Sequence, residues 1–356
     1  QRRQAIVAAL VRATEVRLRL ERILLGAGDL ERLASRIVQG NATVRDFLSL
    51  RQALATAEAA IGTLRACDDP ALASLAAEAV PCADLAAILE RAVVEDADGA
   101  RIRPGFSPEL DAALATLHDT RQFLATLERR ERERTGIRSL KVGYNKVFGY
   151  YIEVTRPHLA RVPSDYVRKQ TVATGERFIT PELKEAEARL LAAEAEIAEL
   201  ERAALARLTR EVSERVGSLL QLAHWLAMLD AFRSLAEVAA RYGWTRPHLD
   251  ESDCLDIEAG RHPVVEALLE GQPFVPNDCR LGGEHPRIVL VTGPNMGGKS
   301  TYLRQVALIV LLAQIGSFVP ARSARIGLVD RIFCRVGAHD DLPGGQSTFM
   351  VEMVET

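Results

Sequence analysis

From Glu182 to Val216 the sequence passes without a glycine or a proline. At 1.5 Å per residue that stretch can form about 52 Å of unbroken helix. It opens on Thr180-Pro181-Glu182, a hydroxyl N-cap, a proline at the first helical position and an acid in the first turn. Leu183, Leu190, Ile197 and Ala204 recur every seven residues, with Ala186, Ala193 and Leu200 three positions after the first three. That spacing predicts a coiled-coil seam. The same start signal occurs earlier as Ser107-Pro108-Glu109, and no Gly or Pro follows it until Gly136. A second helix of roughly 27 residues, about 40 Å long, is therefore predicted. Its end, Glu128 to Arg134, is charged at every position, which predicts a solvated helix that projects away from the body.

Between the two helices the texture changes. Leu140–Tyr144 and Tyr150–Thr155 are aromatic and β-branched, with turns at Asn145-Lys146 and Arg156-Pro157, so a small β-rich module is predicted. Residues 135–180 carry Arg138, Lys141, Lys146, Arg156, Arg161, Arg168, Lys169 and Arg177 against Glu153, Asp165 and Glu176, a local charge of +5 in a chain whose net charge is −3. A phosphate-backbone grip and a solvated surface around a small aromatic core both fit that charge. Most of Tyr144, Phe148, Tyr150, Tyr151, Tyr166 and Phe178 are assigned to the core.

The 356 residues allow two or three domains. No apolar run approaches membrane-spanning length. The start Gln1-Arg2-Arg3 has no signal-like core, and its lack of a Met suggests a start inside a longer protein. Cys67, Cys82, Cys254, Cys279 and Cys334 contain no C-x-x-C pair, the pattern of reduced cytoplasmic thiols. Residues 1–100 have apolar positions at helical spacing, broken at Gly26-Ala27-Gly28, Gly40-Asn41 and Asp68-Asp69-Pro70. They are read as a bundle of several helices.

Near the C-terminus, Arg287–Thr292 reads as a buried strand leading into Gly293-Pro294-Asn295-Met296-Gly297-Gly298-Lys299-Ser300, followed by the helical stretch Thr301–Ala307. This fits the phosphate loop G-x-x-x-x-G-K-[ST]. Its backbone N–H groups and the helix N-terminus would hold phosphate oxygens. Lys299 would reach the β- and γ-phosphates, and the Ser300 hydroxyl would meet Mg²⁺. Asp330, after Ile326–Val329, is read as ending an edge strand and not as a Walker-B acid. No Walker-B strand is found before Thr356. Nucleotide binding is expected, and hydrolysis by this stretch alone is not.

The interior Pro-Asn-Met of the loop, with Gly260-Arg261-His262-Pro263-Val264-Val265-Glu266, Phe274-Val275-Pro276-Asn277-Asp278 and Gly345-Gln346-Ser347-Thr348-Phe349-Met350 in this order, resembles the bacterial MutS mismatch-repair family. Lys141–Val154 looks like that family's clamp. The likeness reaches back to Asp29-Leu30-Glu31-Arg32 and Ile102-Arg103-Pro104-Gly105. It implies a multidomain α plus α/β fold: a helical core/lever bundle over 1–134, an inserted clamp over 135–181, a returning lever helix and core over 182–246, and part of an ABC-like P-loop ATPase over 247–356. It implies ATP or ADP with Mg²⁺ on Gly293–Thr301, Phe274 on the adenine, and Ser347 and Thr348 approaching the γ-phosphate of a dimer partner. Lys141, Lys146, Arg156, Arg168, Lys169 and Arg177 are the candidates for double-stranded DNA. A homodimer, a MutL-type partner and a cytoplasmic, nucleoid-associated location follow from the same resemblance. The family's mismatch-reading Phe-x-Glu wedge is not in this sequence, so weak nucleotide binding and DNA binding without mismatch preference are expected of this stretch. Two other readings stay open: a MutS-related sliding clamp of recombination, and a chromosome-organising ATPase with coiled-coil arms. The roughly 52 Å arms are short for the latter.

Overall fold

The computed structural model describes residues 1–97, 99–145, 147, 149–269, 272–294 and 297–334. They are mostly helical with several small sheets, and form two compact units, one of residues 1–30, 52–82 and 218–356, the other of residues 31–51 and 83–217. No described helix is long and apolar enough to cross a membrane.

The helices expected before residue 100 are α1 (Arg2–Arg12), α2 (Thr14–Leu24), α3 (Leu30–Val38), α4 (Val44–Arg65), α5 (Pro70–Ala77) and α6 (Ala83–Ala92). In the first unit, α1 and α2 are joined by buried Arg17, which donates to the Leu10 and Val11 carbonyls at 2.8 and 3.1 Å and pairs with Glu237 at 2.8 Å. It thus satisfies carbonyls left open by the end of α1. Asp69 accepts from the Ala71 N–H at 2.9 Å, so the break at Asp68-Asp69-Pro70 is the N-cap of α5.

In the second unit a hairpin of β1 (Val93–Asp96) and β2 (Gly99–Ile102) follows α6. This hairpin is not among the sequence expectations. Helix α7 (Pro108–Thr135) has the expected caps: Ser107 Oγ accepts from the Leu110 N–H at 3.3 Å, and Gly136 closes the helix at φ 67°. The tip contains β3 (Lys141–Asn145), β4 (Gly149–Thr155), a 3₁₀ turn at Arg156–Arg161, β5 (Val167–Val172) and β6 (Gly175–Ile179), an antiparallel sheet in the order β3-β4-β6-β5. Helix α8 (Pro181–Glu214) returns antiparallel to α7, joined to it by Arg121–Glu194 and Arg130–Glu182 pairs at 3.1 and 3.2 Å. Leu183, Ala186, Leu190 and Ala193 are buried along its seam, and Ile197 and Leu200 are half-buried.

One expectation is met only in part. Arg129, Arg130, Glu133 and Arg134 of the charged end of α7 are exposed as expected, but Glu128 and Glu131, at i, i+3 spacing, face the sheet. Glu128 accepts from the Val142 N–H on edge strand β3 at 3.0 Å. Glu131, 4% exposed, accepts from the Tyr166 hydroxyl at 2.7 Å and from Arg134 Nε at 2.9 Å. Arg132 Nε donates to the Leu140 carbonyl at 2.7 Å. From α8, Glu187 accepts from the Tyr150 N–H at 3.2 Å. Leu124 and Leu127 of α7, Ile152, Val154, Tyr166 and Phe178 of the tip, and Leu183, Ala186 and Leu190 of α8 share one core.

Helix α9 (Val216–Tyr242) leads into β7 (His248–Asp250), β8 (Leu255–Gly260), α10 (Pro263–Leu268), β9 (Asn277–Leu281), α11 (Lys299–Ile315) and β10 (Ser323–Gly327). The strands form a sheet in the order β7-β10-β8-β9. Its core joins Ile257, Cys279, Ala324 and Ile326 to Ile309, Val310 and Ala313 of α11. Two sequence expectations fail. Strand β10 pairs with both β7 and β8 and so is interior, and Asp330 lies beyond its end. Residues 287–292 form no strand, and Ile288 and Leu290 are 87% and 86% exposed. An apolar run becomes a strand only when neighbours take up its N–H and C=O groups, and no described strand lies beside it.

Candidate functional site

Helix α11 starts at the lysine of the phosphate loop because Gly298 takes φ 83° at its N-cap, a left-handed value that suits glycine. A Cβ on Gly297 would lie 3.0 Å from the Pro294 carbonyl, so the loop is tight at that glycine too. Lys299 Nζ donates to the carbonyls of Gly293 and Pro294, both at 2.7 Å, and draws the loop around its own helix start. Ser300 is exposed in the first turn and Thr301 half-exposed beside it. The N–H groups of such a turn have no partners within the helix and face whatever fills the loop. Asn295, Met296, Ser347 and Thr348 lie outside the described residues.

Tyr302, which the residue reading did not single out, brings the second motif to this helix. Its hydroxyl donates to the Asp278 carbonyl at 3.0 Å. Burial, followed by its bond with Cys279, raises the phenol's pKa well above the ordinary value, so it stays a donor. Phe274, Val275 and Asn277 consequently face Gly297, Gly298, Lys299 and Thr301 across a cleft of about 710 Å³. A flat aromatic wall, a row of helix-start N–H groups and one ammonium suit a planar ring that carries phosphates.

Gly260, the first residue of the Gly260–Glu266 motif, pairs with Asn277 of this cleft. His262 is 7% exposed and caps α10, its Nδ1 accepting from the Val265 N–H at 3.2 Å. Arg261 is held by Glu266 at 2.7 Å and by the Tyr242 carbonyl at 3.0 Å. Burial, with the charge of Arg304, depresses the His262 pKa below its usual value. A depressed folded-state pKa means that the unfolded chain binds the proton first. His262's contribution is therefore complete above about pH 6.5 and is lost as the pH falls through the folded value. The melting temperature of the wild type is expected to drop on acidification from pH 7.5 to 5, and part of that drop should disappear in His262→Asn, which keeps a capping side chain. An identical pH dependence in the two proteins would remove His262 as the cause.

At the tip, Lys141, Arg156, Arg168 and Lys169 are exposed, whereas Arg177 is half-buried. Lys141, Glu153, Arg177 and Gln170 form a row across the four strands. Arg177 is committed within that row: it donates to Glu153 at 3.0 Å and Gln170 at 3.1 Å and lies 4.2 Å from the centroid of the Tyr151 ring. Gly143 leaves the space over which that ring lies, since a Cβ there would come within 2.7 Å of it. Lys169 occupies the register shift of edge strand β5, and Arg168 pairs with Glu176 at 3.3 Å. Lys146 lies outside the described residues. Of the aromatics, Tyr166 and Phe178 are core, while Tyr144 is 56% exposed.

The family model of MutS domain V matches residues 289–356, and that of MutS family domain IV matches residues 105–196. The DNA mismatch repair protein MutS of Myxococcus xanthus is 51% identical over 341 residues, covering 94% of this chain and 38% of that protein. This chain belongs to the MutS family. Its MutS relatives in Salinibacter ruber and Desulforamulus reducens are each 48% identical, over 92% and 100% of this chain and 37% and 42% of their own lengths. The chain thus spans about two fifths of the length of these MutS proteins. Domain IV covers α7, the tip and the first half of α8, and domain V covers the phosphate loop and α11.

Proposed function

We propose that this chain is the DNA-clamping and nucleotide-binding part of a MutS mismatch-repair protein, which as a whole recognises mismatched duplex DNA and couples ATP binding and hydrolysis to its hold on that DNA. The observation that carries the nucleotide half is the cleft between Phe274 and the loop at Lys299. Phe274 stacks on adenine, the N–H groups of Gly293 and of Asn295 to Thr301, Met296 among them, cradle the phosphates beside Pro294, and Lys299 leaves its two carbonyls for them. Mg²⁺, held by Ser300, supplies further neutralisation of phosphate charge when bound. Ser347 and Thr348 belong to the site of the dimer partner. Residues 1–134 and 182–246 act as core and lever with coiled-coil-like arms, residues 135–181 as the clamp, and residues 247–356 as part of an ABC-like ATPase. The whole protein works as a homodimer with a MutL-type partner in the cytoplasm, on the nucleoid.

The clamp half rests on the exposed cations of the tip. Lys141, Arg156, Arg168 and Lys169, with Lys146, meet the phosphates, while Arg177 supports the sheet face that presents them. Duplex DNA binding is measured at several salt concentrations for the wild type and for a variant with Lys141, Lys146, Arg168 and Lys169 changed to Ala. The slope of log K against log salt is expected to flatten by about 0.9 for each contact removed. An unchanged slope in the variant sinks the clamp assignment.

A further inference from the structure

Gln305 lies on α11 one turn beyond Thr301 and Tyr302 and lines the same cleft. It is 1% exposed, yet neither its Oε1 nor its Nε2 has a hydrogen-bond partner among the described residues. A buried carboxamide with both halves open is costly, and native cores rarely keep one without a use. Room for it is built in: Gly260 ends β8 beside it, and a Cβ there would come within 2.9 Å of Nε2. The same cleft contains Phe274, the wall suited to a planar ring.

We propose that Gln305 reads the base of the bound nucleotide as adenine. A carboxamide presents a donor and an acceptor side by side, and adenine presents their complement at N6 and N7. Oε1 accepts from the N6 amino group and Nε2 donates to N7. Guanine offers two acceptors, O6 and N7, on that edge, which sets Oε1 against O6. This inference rests on the reading of the cleft as an ATP site and adds the residue that selects the base.

The test needs no variant at first. ATP, GTP and 7-deaza-ATP, which lacks the N7 acceptor, are titrated into the 356-residue chain with Mg²⁺ present. ATP is expected to bind about tenfold or more tighter than either of the others, as a bidentate base contact discriminates. In Gln305→Met the three dissociation constants should converge to within about threefold, with GTP binding close to the wild-type value. Equal binding of ATP and 7-deaza-ATP by the wild type overturns the inference, and so does undiminished selectivity in Gln305→Met. If those failures occur while Lys299→Ala still weakens all three nucleotides, the ATP site stands and only the base assignment falls. If the wild type binds none of them, the cleft assignment falls as well.

Discussion

Lys299→Ala is expected to weaken ATP binding by roughly 10- to 150-fold, the loss of about 1.5–3 kcal/mol that goes with a charged hydrogen bond. Two features set the size. Lys299 carries the only positive charge in the sequence Gly293–Ser300, and it already holds the loop by the carbonyls of Gly293 and Pro294 at 2.7 Å. Its removal deletes a phosphate contact and slackens the turn that aims the N–H groups. Lys299→Arg is expected to recover little, because a planar fork cannot replace a compact point charge inside a tight loop. Titration calorimetry with ATP and Mg²⁺ reads both variants, and an affinity within about threefold of wild type for Lys299→Ala would remove the loop from the site.

Glu131→Ala should cost the second unit about 2–3 kcal/mol. The carboxylate is almost fully enclosed, and its loss strands the Tyr166 hydroxyl, which burial and Glu131 together hold well above its ordinary pKa. The upper end of the range for broken buried pairs does not apply, because the Arg134 side chain is 44% exposed and water replaces part of its interaction. Tyr166→Phe should cost less, about 1 kcal/mol, since it removes the donor and leaves Glu131 with Arg134. Hydrogen exchange over residues 137–179 separates local opening from global unfolding. Faster exchange there in Glu131→Ala, with α9 unchanged, is the expected pattern. Unchanged protection would mean that the core around Ile152 and Phe178 holds the tip to the helices without this network.

Local chemistry made the helix starts legible. Ser107-Pro108 and Thr180-Pro181 carry their own cap oxygens and preset φ values, and both helices begin there. The tight turn before α11 was legible for the same reason, since Gly297, Gly298 and Lys299 act within a few residues of one another. The burial of Glu131 in the charged end of α7 was not legible because composition alone places charge in water, while its partner Tyr166 lies 35 residues away. The tip cations looked equivalent in sequence, and only cross-strand register committed Arg177 to Glu153 and Gln170.

Two segments mark the boundary between the two kinds of information. Ile288–Val291 had the composition of a buried strand, yet without described strands at its sides it forms none, and Ile288, Val289 and Leu290 stay exposed. Ser323–Gly327 was less strand-like in sequence, yet it is interior to its sheet because β7 and β8 pair with its two edges. By itself the sequence determined what depends on neighbours along the chain: caps, turns, helix lengths and the glycine turn before α11. Tertiary structure alone decided which strands exist, which charges are buried and how Phe274, Lys299 and Gln305 come to share one cleft. The reason is physical: a cap is satisfied within one helical turn, whereas a strand's hydrogen bonds and a buried carboxylate's donors must come from distant parts of the chain.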